Sequence, residues 1–316
     1  MLDTSPLPPL SNGTHALAQI QRQTRRLAAL HREVLADKDP EALHQFRVSL
    51  RRLRTALRQF APALELPDGV SPGRIAGLAR STGLSRDLDV LQERLEHGIL
   101  PRLAAEERQA LRPALKRLRR DRQIAFEAVR DALGSSRYLK LLARLGRWAQ
   151  QPAFTPLGHL PLADWLHEWH LPLSGALFLH PGWMAIHPQD ESLHELRKSL
   201  KGVRYALEHL AEALEAPGHS WISVLKQAQS WLGELHDLQV LEACLLDRPG
   251  HGAGRGLEGL RGELERQRSE VWGQWRTLAA LLLLPESRRA LPALRPLPQA
   301  IPLPPPSGVG AAAAGS

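Results

Sequence analysis

The chain of 316 residues has one cysteine, Cys244, two tyrosines and two methionines, and its aromatic content is only 5%. A single thiol excludes a disulfide framework and a cysteine-built zinc site, and it fits a reducing compartment, the cytoplasm. Long apolar runs are missing as well. Stretches such as Leu278 to Leu284 are far too short to cross a bilayer. The amino terminus lacks a basic segment followed by an apolar one, so no secretory signal is expected. β-Branched residues are scarce, and strand-like alternation nowhere persists. There is no Walker A sequence and no acidic cluster beside the basic segments, so the usual apparatus of phosphoryl transfer is absent.

Positive charge is what the sequence has in excess. Lys and Arg number 41 against 33 Asp and Glu, a formal net charge of +8. Such a balance asks for an acidic partner: nucleic acid, an anionic membrane or a phosphate polymer. Arginine supplies most of it, and its guanidinium fork grips phosphate oxygens two at a time, which favours phosphate over a generic polyanion. A hydrophobic content of 43% suffices for a core and excludes wholesale disorder.

Residues 1–11 are proline-rich, and from Pro285 onward prolines recur before the terminal GVGAAAAGS. Both ends, 1–11 and 285–316, are expected to be flexible tails. Between 12 and 284 leucines recur at helical spacing, with breaks at clusters such as Asp37 to Pro40, Pro67 to Gly73 and Gly134 to Ser136. The expected fold class is all-α. An internal repeat organises it. HQFRVSLRRLRTALRQF (44–60) aligns with HELRKSLKGVRYALEHL (194–210), and the same offset aligns GLSRDLDVL (83–91) with GELHDLQVL (233–241) without a gap. Two motifs sharing one offset imply two homologous halves. We expect one domain over 12–284, made of a four-helix bundle at about 12–150, a linker at about 151–161 and a second bundle at about 162–284, the bundles related by a pseudo-twofold axis.

On a helix turning about 100° per residue, His44, Arg47, Arg51, Arg54 and Arg58 share an arc of roughly 80° and span about 21 Å. Phe46, Leu50, Leu53, Leu57 and Phe60 fall on a different arc, roughly 160° to 240° from His44. One side can be buried while a basic stripe faces elsewhere. No acid interrupts His44 to Phe60, although like charges at these spacings destabilise a helix by a few tenths of a kcal/mol each. An external anion accounts for such a stripe better than internal pairing does. The second copy supplies His194, Arg197, Lys198, Lys201 and Arg204, and is weaker because Glu208 stands where Arg58 does. Near a polyanion each His gains charge and becomes a charge-assisted donor. Neither has a partner on its own face at metal-ligand spacing, so no metal site is expected. Asp87 and Asp237 in the second motif would repel phosphate and are read as acids that orient a stripe cation, with an ordinary structural ion pair as the equal alternative. Arg86 and His236 just before them add charge. Lower-ranked basic candidates are Arg22, Arg25 and Arg26, then Lys116, Arg119 and Arg120, with Arg266 a loose counterpart in the second half.

The pattern H-x-x-R-x-x-x-[RK]-x-x-R followed by G-x-x-x-D-x-x-V-L, present twice in a helical chain, resembles the CHAD family, the conserved histidine α-helical domain. The resemblance covers nearly all of 12–284. It implies two four-helix bundles about a pseudo-twofold axis, with basic residues lining a central cavity or groove. It also implies binding of inorganic polyphosphate without a demonstrated reaction and, in some members, association with polyphosphate granules. Carried over by position, its basic residues fall on His44, Arg47, Arg51 and Arg54 and on His194, Arg197, Lys198, Lys201 and Arg204, and its acid falls on Asp87 and Asp237. The E-x-E-x-K strand of the triphosphatase domain that often precedes this one is not found, so a stand-alone, non-enzymatic binder without cofactor is expected. Other polyanions are further candidate partners. Nucleic acid is the alternative, although neither aromatics interleaved with basic residues nor a recognition helix is evident. A polyphosphate-processing phosphohydrolase ranks below it. The segment 162–183 carries Trp165, Trp169 and Trp183, which read as core residues more readily than as a docking surface.

Overall fold

In the structure, a computed structural model that describes residues 10–246 and 257–296, several helices begin where the sequence supplies a cap. The Ser11 hydroxyl accepts from the Thr14 amide and the Thr14 hydroxyl accepts from the Ser11 amide, a capping box that opens α1 (Asn12–Ala36). Asp39 accepts from the Glu41 amide at 2.8 Å, with Pro40 at the first position of α2 (Pro40–Gln59). β1 (Leu64–Glu65) follows, and Gly69, at φ 80°, makes the turn toward α3 (Pro72–Ser81), capped by Ser71. α4 (Gly83–Glu93) runs into a π-helical turn at Arg94–Ile99. Next come α5 (Ala105–Gly134), α6 (Ser136–Trp148) with Ser135 as its cap, and β2 (Ala153–Phe154), which pairs antiparallel with β1. The remainder is α7 (Leu162–Trp165), α8 (Leu171–Leu177), α9 (Ser192–Leu210), α10 (Ala216–Leu246), α11 (Glu258–Leu282) and α12 (Pro285–Ala290). The fold is all-α, as periodicity predicts. Both copies of the first motif lie on helices, α2 and α9, and both copies of the second on α4 and α10.

The chain forms two compact units. One comprises Met1–Arg86, Gln123–Leu173 and Tyr205–Glu215, and the other Asp87–Arg122, Ser174–Arg204 and Ala216–Ser316. Each unit therefore draws on both halves of the sequence.

In the first unit α2 packs against α1 and α3. Phe46, Leu50, Leu53, Leu57 and Phe60 are fully buried, each at 0% exposure, as their shared arc predicts. Trp169 packs against Phe60 and donates its indole N–H to Asn12 Oδ1 at 2.8 Å, so it belongs to this core, while Trp165 is half-buried. Beside it lies a neutral histidine pair. His15 Nε2 donates to the His209 carbonyl at 2.6 Å, and His209 Nδ1 donates to Gln59 Oε1 at 3.0 Å. The Gln59 amide in turn donates to the carbonyls of Trp169 and Ala206. Burial, then the charge of Arg52 and the closeness of His15, depress His209 to about 3.

The second unit is built on tryptophan. Trp221 and Trp231 are buried, and Trp183 stacks on Trp275 with ring centroids 5.5 Å apart. The chain stays packed beyond Leu284, where a flexible tail was expected to begin. Pro285 starts α12, Ser287, Ala290 and Leu291 are buried, and the Trp221 indole donates to the Arg295 carbonyl at 2.8 Å. Burial of that apolar turn offsets the cost of ordering it. The rest of the expected tails, 1–9 and 297–316, lies outside the described residues.

A histidine neutral in the fold and titratable when unfolded stabilises above the unfolded value near 6.5 and loses that contribution as pH falls toward its folded value. For His209 the window runs from 6.5 down to about 3. At pH 5 the loss from this one group should be about 2 kcal/mol. Urea unfolding at pH 7.5 and pH 5 checks it, with a shallower pH dependence expected in His209→Gln.

Candidate functional site

α2 presents its basic arc away from the buried one. His44, Arg47 and Arg51 are half-buried, and Arg54 and Arg58 are exposed. Arg47 Nη1 donates to the Ala79 carbonyl at 2.7 Å and to the Thr82 hydroxyl at 3.1 Å, which ties α2 to the end of α3. Arg51 Nη1 donates to the Tyr205 hydroxyl at 3.0 Å, with its guanidinium carbon 5.9 Å from the centre of that ring. Burial, then Arg51, Arg58 and Arg80, all push the Arg54 pKa down. His44 is lowered by burial and then by Arg86, against the pull of Glu41, with Arg51 and Arg47 adding to the fall. Among the described residues no carboxylate forms an ion pair with Arg51, Arg54, Arg58 or Arg80. Four guanidinium groups therefore gather with their charge unanswered.

Arg80 is the member that reading the sequence missed. It lies on α3, and the residue 150 positions on is Ser230, so the repeat could not point to it. The excess of Arg over acid between Arg74 and Arg86 is the one signal that could have.

In the second unit the other copy is built differently. His194 on α9 and His236 on α10 pack with ring centroids 4.5 Å apart. His194 is lowered by burial and then by His236 and Lys198, opposed by Glu195. Burial and then Arg197 lower His236, opposed by Asp87, with Lys201 and Lys198 adding to the fall. Lys198 pairs with Glu195 at 2.6 Å, which answers part of the charge. Arg204 is buried, and its Nε donates to Gln229 Oε1 at 3.0 Å. Glu208, where the first copy has Arg58, belongs to the first unit and pairs with Arg52 at 3.1 Å. The field of Asp87 reaches His236, and that of Asp237 reaches Arg94 and Glu234 on its own unit.

One relation holds in both copies. A Cβ on Gly83 would lie 3.5 Å from Arg47 Nη1, and a Cβ on Gly233 would lie 3.0 Å from Arg197 Nη2. The first arginine of the first motif thus packs against the glycine that opens the second, closely enough at Gly233 that a side chain there would crowd Arg197, and at ordinary contact distance at Gly83. This contact gives the spacing of the two motifs a physical meaning.

Three of the seven lower-ranked cations carry their own counterions. Arg22 pairs with Glu212, and Arg119 with Glu96 at 2.7 Å. Arg266 pairs with Glu263 at 2.8 Å and Glu270 at 3.3 Å, and its hydrogen bond holds Glu263 down at about 2. Arg25 donates to Gln21, whereas Arg26, Lys116 and Arg120 are exposed. Among the described residues no three His, Cys, Asp or Glu side chains converge as a metal site, and no helix is long and apolar enough to cross a membrane.

The family profile of the CHAD domain matches residues 18–246. The crystal structure of the CHAD domain from the plant Ricinus communis superimposes with a TM-score of 0.62 at 25% identity, covering 92% of this chain and 94% of that one. PptA from Streptomyces chartreusis gives a TM-score of 0.62 at 22% identity over 86% and 98% of the two chains, a likeness of fold. No curated protein sequence matches the chain.

Unanswered charge on α2 should cost stability. Arg54→Gln is expected to raise the melting temperature by a few degrees at low ionic strength, and the gain should vanish in about 0.5 M NaCl, where the screening length falls to a few ångströms. Thermal melts at the two salt concentrations check it.

Proposed function

The chain belongs to the CHAD family, and from that premise we propose that it binds inorganic polyphosphate without transforming it. The observation that carries the reading is the group of Arg51, Arg54, Arg58 and Arg80, gathered on one unit with no ion-paired carboxylate among the described residues. Polyphosphate is an unbranched chain of anions without bases, so it needs guanidinium forks and no stacking platform. Arg51 is positioned by a hydroxyl and a π-face, which orient it and leave its charge available. Lys198, Lys201 and Arg197 on the second unit, beside His194, form a weaker cationic surface of the same kind. The non-enzymatic part of the reading is supported by the chemistry of the stripe, which offers arginines and no carboxylates to hold the metal ions that phosphoryl transfer uses. We place the protein in the cytoplasm, on polyphosphate granules where the polymer accumulates.

Binding of polyphosphate of defined length, followed by calorimetry, tests the proposal. Arg51→Glu with Arg54→Glu should weaken binding at least about tenfold, since each lost charge-assisted contact is worth more than about 1 kcal/mol. Circular dichroism should show helicity unchanged, and equal affinity in the double variant would remove α2 from the site. Affinity should fall steeply with salt by counterion release. A bound anion also counters the arginines that depress His44, so binding takes up a proton. Affinity should therefore rise as pH falls from 7.5 to 5.5, and His44→Gln should flatten that rise.

A further inference from the structure

A cavity of about 720 Å³ lies within the first unit, with α3 on one side and the end of α5 and start of α6 on the other. Its α3 wall includes Gly73 and Gly77, one turn apart. Glycine inside a helix is less favourable than alanine, and packing demands neither of these. A Cβ on Gly73 would meet only the Ser71 hydroxyl, at 3.9 Å, and one on Gly77 only Arg80 Nη2, at 3.8 Å. The helix gives up stability here and keeps a wall low.

The rest of the lining has a definite chemistry. Arg74 and Arg80 from α3 and Arg137 from α6 are exposed and form no ion pair with a described carboxylate. Asp131 is the one acid among the lining residues. Leu78 and Leu141 provide apolar surface. Tyr138 also lines the cavity, at 2% exposure, and its hydroxyl has no hydrogen-bond partner among the described residues. Burial pushes the Tyr138 pKa up to about 12, so the hydroxyl is neutral and able to donate. A buried polar group without a partner, on a residue that lines a cavity, is satisfied when a small side-chain shift brings a ligand atom to it. A bare phosphate chain would satisfy the arginines and leave the apolar wall and the open side of α3 unused.

We propose that this cavity binds a small organic phosphate of the size and chemistry of a nucleoside di- or triphosphate. Its phosphates would lie on Arg74, Arg80 and Arg137, and its organic part against α3 and Tyr138. The volume is within the range of small-molecule sites. This site lies beside the one read for polyphosphate, which is built on Arg51, Arg54 and Arg58 of α2 with Arg80 of α3. Arg80 is the residue the two have in common, since its charge also reaches Arg54.

Fluorescence titration of the full chain with N-methylanthraniloyl-ADP in metal-free buffer tests the proposal, with ATP, tripolyphosphate and adenosine as competitors. Saturable binding is expected, displaced by ATP and at least about tenfold less well by tripolyphosphate or adenosine. Arg74→Glu with Arg137→Glu should weaken it by a similar factor. Gly77→Ala and Tyr138→Phe should weaken it several-fold while the melting temperature holds or rises, a combination that a purely structural role would not produce. The Arg51→Glu, Arg54→Glu variant should still bind the nucleotide. Three results would overturn the proposal: no saturable binding at millimolar nucleotide, displacement by tripolyphosphate as good as by ATP, or loss of binding in the α2 double variant alone.

Discussion

A row of like charges on one helix face is unfavourable by itself, and everything at the α2 surface depends on what holds that helix in place. Repulsion between neighbouring arginines costs a few tenths of a kcal/mol per pair. The opposite face buries Phe46, Leu50, Leu53, Leu57 and Phe60 completely, each contributing on the order of 1.5–3 kcal/mol. Burial wins by a wide margin. The helix can therefore afford cations that its own stability would not select. Its partners suit that role, because a tyrosine hydroxyl and ring orient Arg51 without cancelling it.

The cations elsewhere show the ordinary solution. Arg22, Arg119 and Arg266 each have a carboxylate, and these exposed pairs contribute little to stability while leaving little net charge. The second unit lies between the two cases. Lys198 is paired, Arg204 is buried against Gln229, and two histidines are packed together and depressed by burial and their basic neighbours. The two copies of the motif are thus alike in sequence and unequal in charge.

The parts of this structure that periodicity controls were legible. The all-α class, the buried arc of α2 and the capped helix starts follow from residue spacing and from Ser, Asp and Pro at the breaks. Partnership between distant segments was not. Nothing in the sequence says that Arg119 meets Glu96 while Arg54 meets no acid among the described residues, because that depends on which helix faces become neighbours. Arg80 was invisible for the same reason: it reaches the stripe from a different helix and has no counterpart in the repeat. Asp87 and Asp237 occupy equivalent positions in sequence, yet the groups that feel them are His236 in one case and Arg94 and Glu234 in the other. Trp221 shows how the chain past Leu284 stays packed, since its indole reaches the Arg295 carbonyl across a separation no local pattern reveals.

The contact of Gly83 with Arg47, and of Gly233 with Arg197, has a consequence for how an anion is met. A free arginine samples many rotamers and surrenders that freedom when it grips a ligand. Lying on a helix that offers no side chain at that point, these two have surrendered much of it during folding. The entropy is lost before any ligand arrives, so less must be lost on encounter. Lysine would not substitute, because its ammonium lacks the flat fork that rests against a backbone. Arg47 has its fixed address from the Ala79 carbonyl and Thr82 hydroxyl beside Gly83, and Arg197 from its close approach to Gly233.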